Sequence, residues 1–131
     1  MNDKRPVSYP FKTPNSEIGY NLFPALMEDH ESVFFHGTAE GNLLSIIETG
    51  FLLGKKTKSV SFARKSGLAL SYACSARSKM SPNGCVIAVQ IDDVKRNGIK
   101  SDEEFGLHVY TLDPPPLVIG YCIIPSSYDF V

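Results

Sequence analysis

Five apolar runs in the chain predict β-strands. The run at residues 33–35 ends in a histidine and a glycine, and the run at 59–63 is short. Residues 85–91 are almost uninterrupted apolar sequence, which predicts a central strand covered on both faces. Residues 105–112 and 117–124 lie on either side of a proline-rich bend, and this order predicts a closing, hairpin-like pair. The runs are expected to form two small sheets.

Three other segments have apolar residues at helical spacing. In residues 16–30 this spacing surrounds a proline that must kink or restart the helix. Residues 40–49 carry a wide apolar stripe, and Gly50 stands where a left-handed C-cap is expected. Residues 67–77 form the third candidate, with Ser66 as its N-cap. The pattern therefore predicts an α+β fold in which helices flank two packed sheets.

Length and composition indicate one globular domain. The chain has 131 residues, of which 43% are hydrophobic and 21% are charged, and this composition is typical of globular rather than disordered proteins. Prolines among polar residues predict that residues 1–15 form an extended arm, which leaves residues 16–131 as a single domain. A net charge of −1 provides no global field that would collect nucleic acid or an anionic membrane.

One basic run departs from this even charge balance, and two interpretations of it stay open. It can be a solvated loop, or it can attract a diphosphate or an acidic partner surface. The run consists of Lys55, Lys56, Lys58, Arg64 and Lys65.

Cysteine usage and hydropathy bear on cofactors and location. Three cysteines without C-x-x-C spacing argue against a zinc site, a redox pair or a disulfide framework, and we expect buried thiols and no bound metal. No apolar run approaches the length needed to cross a bilayer, and the N-terminus lacks the apolar core of a secretory signal. We therefore expect a cytoplasmic location where the protein is made, and no membrane partner.

The step from His36 to Gly37 is the first candidate for chemistry. It follows a buried strand, so an imidazole with one donor and one acceptor nitrogen would stand beside a backbone that no side chain shields. Such a pair can bind a planar amide and a sugar hydroxyl together. The alternative is a histidine that only ends a strand.

A second stretch makes the pattern specific. His36-Gly37-Thr38 is followed by Asn42 and, after an Ile-Ile pair, by Gly50-Phe51, and the short strand ending in Phe62-Ala63 is followed by a helix carrying Tyr72-Ala73-Cys74. Over residues 33–76 this order resembles the ADP-ribosyltransferase superfamily, and most closely the catalytic domain of the poly(ADP-ribose) polymerase branch, which is diphtheria-toxin-like and uses a His-Tyr-Glu motif.

The resemblance implies an ADP-ribosyltransferase-like fold with a cleft for NAD+, which would be the co-substrate. His36 would bond ribose hydroxyls, and Gly37 would pair its backbone with the carboxamide, where a β-carbon would hold the amide away. Thr38 would contact the adenosine side, and Tyr72 would stack on the nicotinamide ring. The remaining residues implied at the cofactor site are Ser61, Phe62 and Ala63. A core position on an apolar helix face is the alternative for Tyr72.

Three positions depart from the family pattern. Gly106 stands where the resemblance places the catalytic acid, and Glu104, two residues earlier on the same strand face, is the candidate to replace it. The alternative is that Glu103 and Glu104 are solvated residues of a turn. Ser61 replaces a tyrosine that lines the nicotinamide slot. Ala69 replaces a serine, for which Ser66 or Ser71 would have to substitute.

The resemblance, with these departures, implies a mono-ADP-ribosyltransferase that modifies a macromolecule, with His36, Tyr72 and Glu104 as catalytic residues. The expected acceptor is a protein, and a nucleic acid is the other class of target. By size and analogy the enzyme would suit a bacterial toxin, an effector delivered into a host or target cell, or a phage modifier. The alternative is a degenerate module that binds NAD+, ADP-ribose or a protein without turnover. An NAD+ glycohydrolase and an RNA 2′-phosphotransferase rank below both.

Overall fold

The computed structural model describes residues 6–14, 19–51, 60–91, 99–102, 106–109 and 115–129. The strands are β1 (Val7–Tyr9), β2 (Val33–Ala39), β3 (Val60–Phe62), β4 (Gly84–Gln90), β5 (Ile99–Asp102), β6 (Gly106–Val109) and β7 (Leu117–Ile124). The α-helices are α1 (Ala25–Glu28), α2 (Leu43–Thr49) and α3 (Ser66–Ala76), and a 3-10 turn at Glu40–Asn42 leads into α2. The predicted α+β class with two small sheets is confirmed.

The larger sheet has the strand order β1-β7-β4-β2. Strand β4 is antiparallel to both β2 and β7, and β1 is parallel to β7. Six of the seven β4 residues are buried, which confirms the predicted central strand and follows from its apolar residues on both faces. Strand β1 lies within the predicted extended arm at residues 1–15, so part of that arm belongs to the larger sheet.

The smaller sheet has the order β3-β6-β5 and is antiparallel throughout. One bridge connects it to the larger sheet: the Phe35 N–H donates to the Ala63 carbonyl over 2.9 Å, and the Ala63 N–H donates back over 2.6 Å. Because none of the described strands of the larger sheet lies on that side of β2, this bridge sets how the two sheets meet.

Helix α3 packs closely on the larger sheet, against β2 and β4. A Cβ added to Gly37 would lie 2.0 Å from the Ala69 carbonyl oxygen, and one added to Gly84 would lie 2.7 Å from the Ala73 carbonyl oxygen. Two glycines and two alanines therefore bring the helix backbone against the strands. The larger buried side chains between helix and sheet include Phe23, Phe35, Leu70, Val86 and Ile124.

A second core lies on the opposite face of the larger sheet and extends under the smaller one. It contains Phe34, Phe51, Phe62, Ile87, Val89 and Val109. Phe51 follows Gly50, whose φ of 88° lies in the region that favours glycine, as expected after α2. Its ψ of 177° is not that of the left-handed cap we predicted.

Three local predictions were wrong. The runs before and after the proline-rich bend do not pair, because β6 lies between β3 and β5 whereas β7 lies between β4 and β1. The helix expected at residues 16–30 does not form before Pro24 in the described residues; only α1 forms, directly after the proline, where the sequence predicted a kink or restart. Ser66 does not cap α3, since its hydroxyl donates to the buried Glu28 carboxylate instead.

Predictions for residues 52–59, 92–98, 103–105 and 110–114 lie outside the described part of the chain. Within that part, none of the helices has the length and apolar character needed to span a bilayer. The same residues contain no group of three or more histidine, cysteine or acidic side chains that could hold a metal ion. Cys85 and Cys122 are buried free thiols and Cys74 is half-buried, so the expected burial holds for two of the three.

Candidate functional site

An open cavity of about 460 Å³ lies where the two sheets meet the C-terminal half of α3. Its lining includes six residues that the sequence predicted: His36, Gly37, Ser61, Phe62, Ala63 and Tyr72. It also includes four that the sequence did not predict: Phe35, Ser75, Ala76 and His108. The two motifs, which are separated along the chain, therefore converge on one space.

The imidazole of His36 is oriented by Ser61. Its Nδ1 lies 2.9 Å from the Ser61 carbonyl oxygen, and because a carbonyl only accepts, Nδ1 carries the proton and Nε2 is an acceptor. The ring packs against Phe51 and Phe62, with centroid distances of 5.2 and 5.6 Å. Burial lowers the pKa of His36, and the hydrogen bond to the Ser61 carbonyl opposes this only in part. His36 is thus held neutral at pH 7 in one tautomer.

The backbone of Gly37 faces the cavity. In an antiparallel ladder, alternate residues direct both their N–H and C=O toward the same neighbour. Phe35 exchanges both hydrogen bonds with Ala63, on the side away from β4, so Gly37, two residues later, directs its groups to that side too. The register would place Ser61 opposite, but the Ser61 carbonyl accepts from His36. Among the described backbone groups, none pairs with Gly37 there.

The prediction that a β-carbon at position 37 would hold the carboxamide away was wrong. The missing Cβ would point at α3, 2.0 Å from the Ala69 carbonyl oxygen and 2.7 Å from the Ala73 nitrogen. Close packing of helix on strand, and not the approach of a ligand, therefore requires the glycine. Ala69, fully buried at this contact, cannot contribute to the cavity lining.

Helix α3 supplies one wall of the cavity through Tyr72, Ser75 and Ala76. Tyr72 is 58% exposed, so it is not the core tyrosine of the alternative interpretation. The Ser75 hydroxyl donates to the Ser71 carbonyl over 3.1 Å. Ser71 bonds the Leu68 carbonyl, and neither it nor the buried Ser66 lines the cavity.

Thr38 belongs to a neighbouring space. It is buried, its Oγ1 accepts a hydrogen bond of 2.9 Å from Asn42 Nδ2, and it lines a second cavity of about 400 Å³ with Ser45 and Phe51. Both cavities include His36 and Ser61 in their linings. The hydrogen-bonded pair of His36 and Ser61 therefore lies between two cavities, and a ligand with two parts could occupy both.

His108 is the functional candidate that sequence reasoning missed. It lies opposite Ser61 in the ladder between β3 and β6, and its Nδ1 is 2.8 Å from the Ser61 Oγ. Both residues are exposed. The signal was present, since His108 is two positions after Gly106 and thus shares its strand face.

The predicted acid Glu104, and Glu103 beside it, lie outside the described residues. Gly106 begins β6, in line with the expectation of an extended segment there. Among the described residues that line the cavity, none is a carboxylate.

The described members of the basic run bond elsewhere. Arg64 donates from Nη1 to the Glu31 carbonyl over 2.8 Å and lies over the Phe34 ring at 4.8 Å. Lys65 forms an ion pair with Asp29 at 2.8 Å. Neither lines the cavity, and the three earlier lysines lie outside the described residues.

In comparisons with known proteins, no protein-family model and no curated protein sequence matches this chain at a significant level. The resemblance to ADP-ribosyltransferases therefore rests on the motif residues themselves.

Proposed function

We propose that this protein has an ADP-ribosyltransferase-like fold and uses NAD+ to transfer one ADP-ribose unit to a macromolecule. One observation carries the proposal: His36, the unpaired edge of Gly37 and the exposed ring of Tyr72 line the same cavity. These are the residues on which the motif resemblance depends. A cavity of about 460 Å³ is within the size range of small-molecule sites.

Recognition of nicotinamide would begin at Gly37. Its N–H and C=O point to the same side, so they match the acceptor and donor of a carboxamide without movement of a side chain. Tyr72 would then stack on the pyridine ring, which adds about 0.5–1.5 kcal/mol beyond the area that the contact buries. The amide and the ring together distinguish nicotinamide from a plain aromatic group.

The ribose would lie beside His36. Its Nε2 accepts a hydrogen bond from a ribose hydroxyl, because Nδ1 is already committed to the Ser61 carbonyl. Cleavage of the bond between ribose and nicotinamide develops positive charge on the sugar. An imidazole that stays neutral adds no repulsion to that charge, which agrees with the lowered pKa of His36. Glu104 is our candidate for the carboxylate that stabilises it.

The test is release of nicotinamide from NAD+, together with transfer of labelled ADP-ribose to a protein in a cell lysate. His36→Ala should lower nicotinamide release on the order of 100-fold, the effect of removing one preorganised polar contact to the transition state. Met80→Ala is the control, since Met80 is 96% exposed and outside the cavity. If the wild-type protein releases no nicotinamide and labels nothing, the enzyme proposal is wrong.

A binding module without turnover is the second candidate. It is favoured by the lack of a carboxylate among the described residues of the cavity lining. Calorimetric titration with NAD+ separates the two: heat of binding without nicotinamide release supports the module. Binding that is followed by release supports the transferase.

A further inference from the structure

Ser61 and His108 form an exposed hydroxyl–imidazole pair that the proposed function does not use. The Ser61 Oγ lies 2.8 Å from His108 Nδ1, within the range expected for a nucleophile and its base. The two residues are directly opposed in an antiparallel ladder, so the backbone holds the pair in register. Both side chains line the cavity that contains His36 and Tyr72.

The carbonyl and the hydroxyl of Ser61 have separate partners. Its carbonyl accepts from His36, and its hydroxyl contacts His108. Ser61 therefore contacts one imidazole through its backbone and a second through its hydroxyl. Because His36, Ser61 and His108 line the same cavity, a ribose bound at His36 would share that space with the Ser61 hydroxyl.

We propose that Ser61 is an acceptor of ADP-ribose, so that the protein modifies itself inside its own cavity. This inference rests on the proposed use of NAD+. It assigns to His108 the role of the base that receives the hydroxyl proton. The family pattern has a carboxylate at the position of Gly106, and His108 lies two residues later on the same strand face. The proposed role as a base accounts for a histidine on that face.

The step is balanced without a further reactant. The Ser61 Oγ forms a bond to the anomeric carbon of the nicotinamide ribose, and the bond from that carbon to the pyridinium nitrogen breaks. The bonding electrons leave with nicotinamide, which departs as a neutral molecule. The hydroxyl proton moves to His108 Nδ1, and the imidazolium then releases it to solvent.

Ser75 provides an internal comparison. It is the second serine in the described lining, but its hydroxyl donates to the Ser71 carbonyl and contacts no imidazole. A hydroxyl without a base is a weak nucleophile at neutral pH. Modification driven only by proximity would reach both serines, whereas modification driven by the base should reach Ser61 alone.

The experiment is to incubate the full chain with NAD+, quench over a time course and locate ADP-ribose by peptide mass spectrometry. Nicotinamide release is measured on the same samples. We expect one ADP-ribose on Ser61, none on Ser75, and none in Ser61→Ala, a variant that keeps the backbone carbonyl bonded to His36. His108→Gln should slow formation of the adduct about 100-fold, the usual contribution of a general base.

His30→Gln is the matched control for His108→Gln. The His30 ring accepts from the Ser32 N–H in an exposed turn and lies outside the cavity lining, so its loss should leave adduct formation unchanged. Nicotinamide release without an adduct on Ser61 at any time point would overturn the inference and leave the proposed function standing. An adduct on Ser75 or elsewhere would overturn it too. Absence of nicotinamide release would overturn both.

Discussion

His36 and Ser61 are joined by a hydrogen bond of 2.9 Å from the imidazole Nδ1 to the backbone carbonyl. The bond crosses from the larger sheet to the smaller one, next to the bridge between Phe35 and Ala63. It fixes the tautomer of His36 and occupies the carbonyl that would otherwise face Gly37. One contact therefore both orients the imidazole and leaves a backbone edge open to a ligand.

Stability should depend on pH through His36. Its pKa is lowered by burial, so below the ordinary value of 6.5 the unfolded chain binds a proton that the folded chain does not. The free energy of unfolding therefore receives its full contribution from neutral His36 above pH 6.5, and this contribution is lost as the pH falls toward the lowered pKa. Denaturant unfolding of the wild type and His36→Gln at pH 7.5 and 5.0 measures it. Between pH 7.5 and pH 5.0 the wild type should lose more free energy of unfolding than His36→Gln, by up to about 1.4 kcal/mol per pH unit. Equal losses in the two proteins would contradict burial of His36 as the cause.

Gly37→Ala should destabilise the protein. The new methyl group would sit 2.0 Å from the Ala69 carbonyl oxygen, so α3 must move away from β2 at a cost of about 1–3 kcal/mol or more. Denaturant unfolding gives the change. Gly41→Ala is the comparison, because its added Cβ would meet only the Ser81 side chain, at 3.2 Å, which can shift where a helix backbone cannot, and a smaller loss than at Gly37 is expected. Equal effects would argue against the close packing of helix on strand.

Glu28 should be essential for the position of α3. Its buried carboxylate accepts from the Phe23 N–H at 3.2 Å, from the Ser66 N–H at 3.1 Å and from the Ser66 hydroxyl. Glu28→Ala leaves these donors without an acceptor, and we expect a loss of about 3 kcal/mol in the free energy of unfolding. Glu31→Ala, at an exposed position three residues later, should change it by less than about 0.5 kcal/mol.

Tyr72 should affect binding much more than folding. Because Tyr72 is 58% exposed, Tyr72→Ala should change the free energy of unfolding by about 0.5 kcal/mol or less. It should weaken NAD+ binding by about 2- to 10-fold, the equivalent of about 0.5–1.5 kcal/mol, and Tyr72→Phe should restore most of the affinity. Calorimetric titration provides the measurement. Unchanged affinity in Tyr72→Ala would remove the stacking role.

Much of the local structure could be predicted because it follows from nearest neighbours in the chain. The apolar run at 85–91 became the buried strand β4, and the stripe at 40–49 became α2 with its preceding turn. The pattern of the strand is set by burial, since six of the seven β4 residues are buried. The stripe predicted the helix α2 but not its burial, because none of its residues is buried and Leu44 and Ile47 stay exposed. Prediction was less successful where a polar residue had two possible partners. Ser66 could cap its own helix, but a buried carboxylate 38 residues away binds it instead.

The candidate site divides in the same way. Sequence alone identified His36, Gly37, Ser61 and Tyr72, because their types and spacing form a recognisable motif. It did not identify His108, which comes beside Ser61 only through pairing of strands 47 residues apart.

The chain by itself therefore determined five of the seven described strands, helices α2 and α3, and six of the ten residues that line the cavity. Only the tertiary structure decided that β6 and β7 belong to different sheets. It also decided that the Cα hydrogen side of Gly37 packs against α3 while its backbone groups face the cavity. Finally, it placed the imidazoles of His36 and His108 against the same residue, Ser61. The physical reason is that burial is recorded in local hydrophobic periodicity, whereas strand order and long-range hydrogen bonds depend on competition among partners distant in the chain.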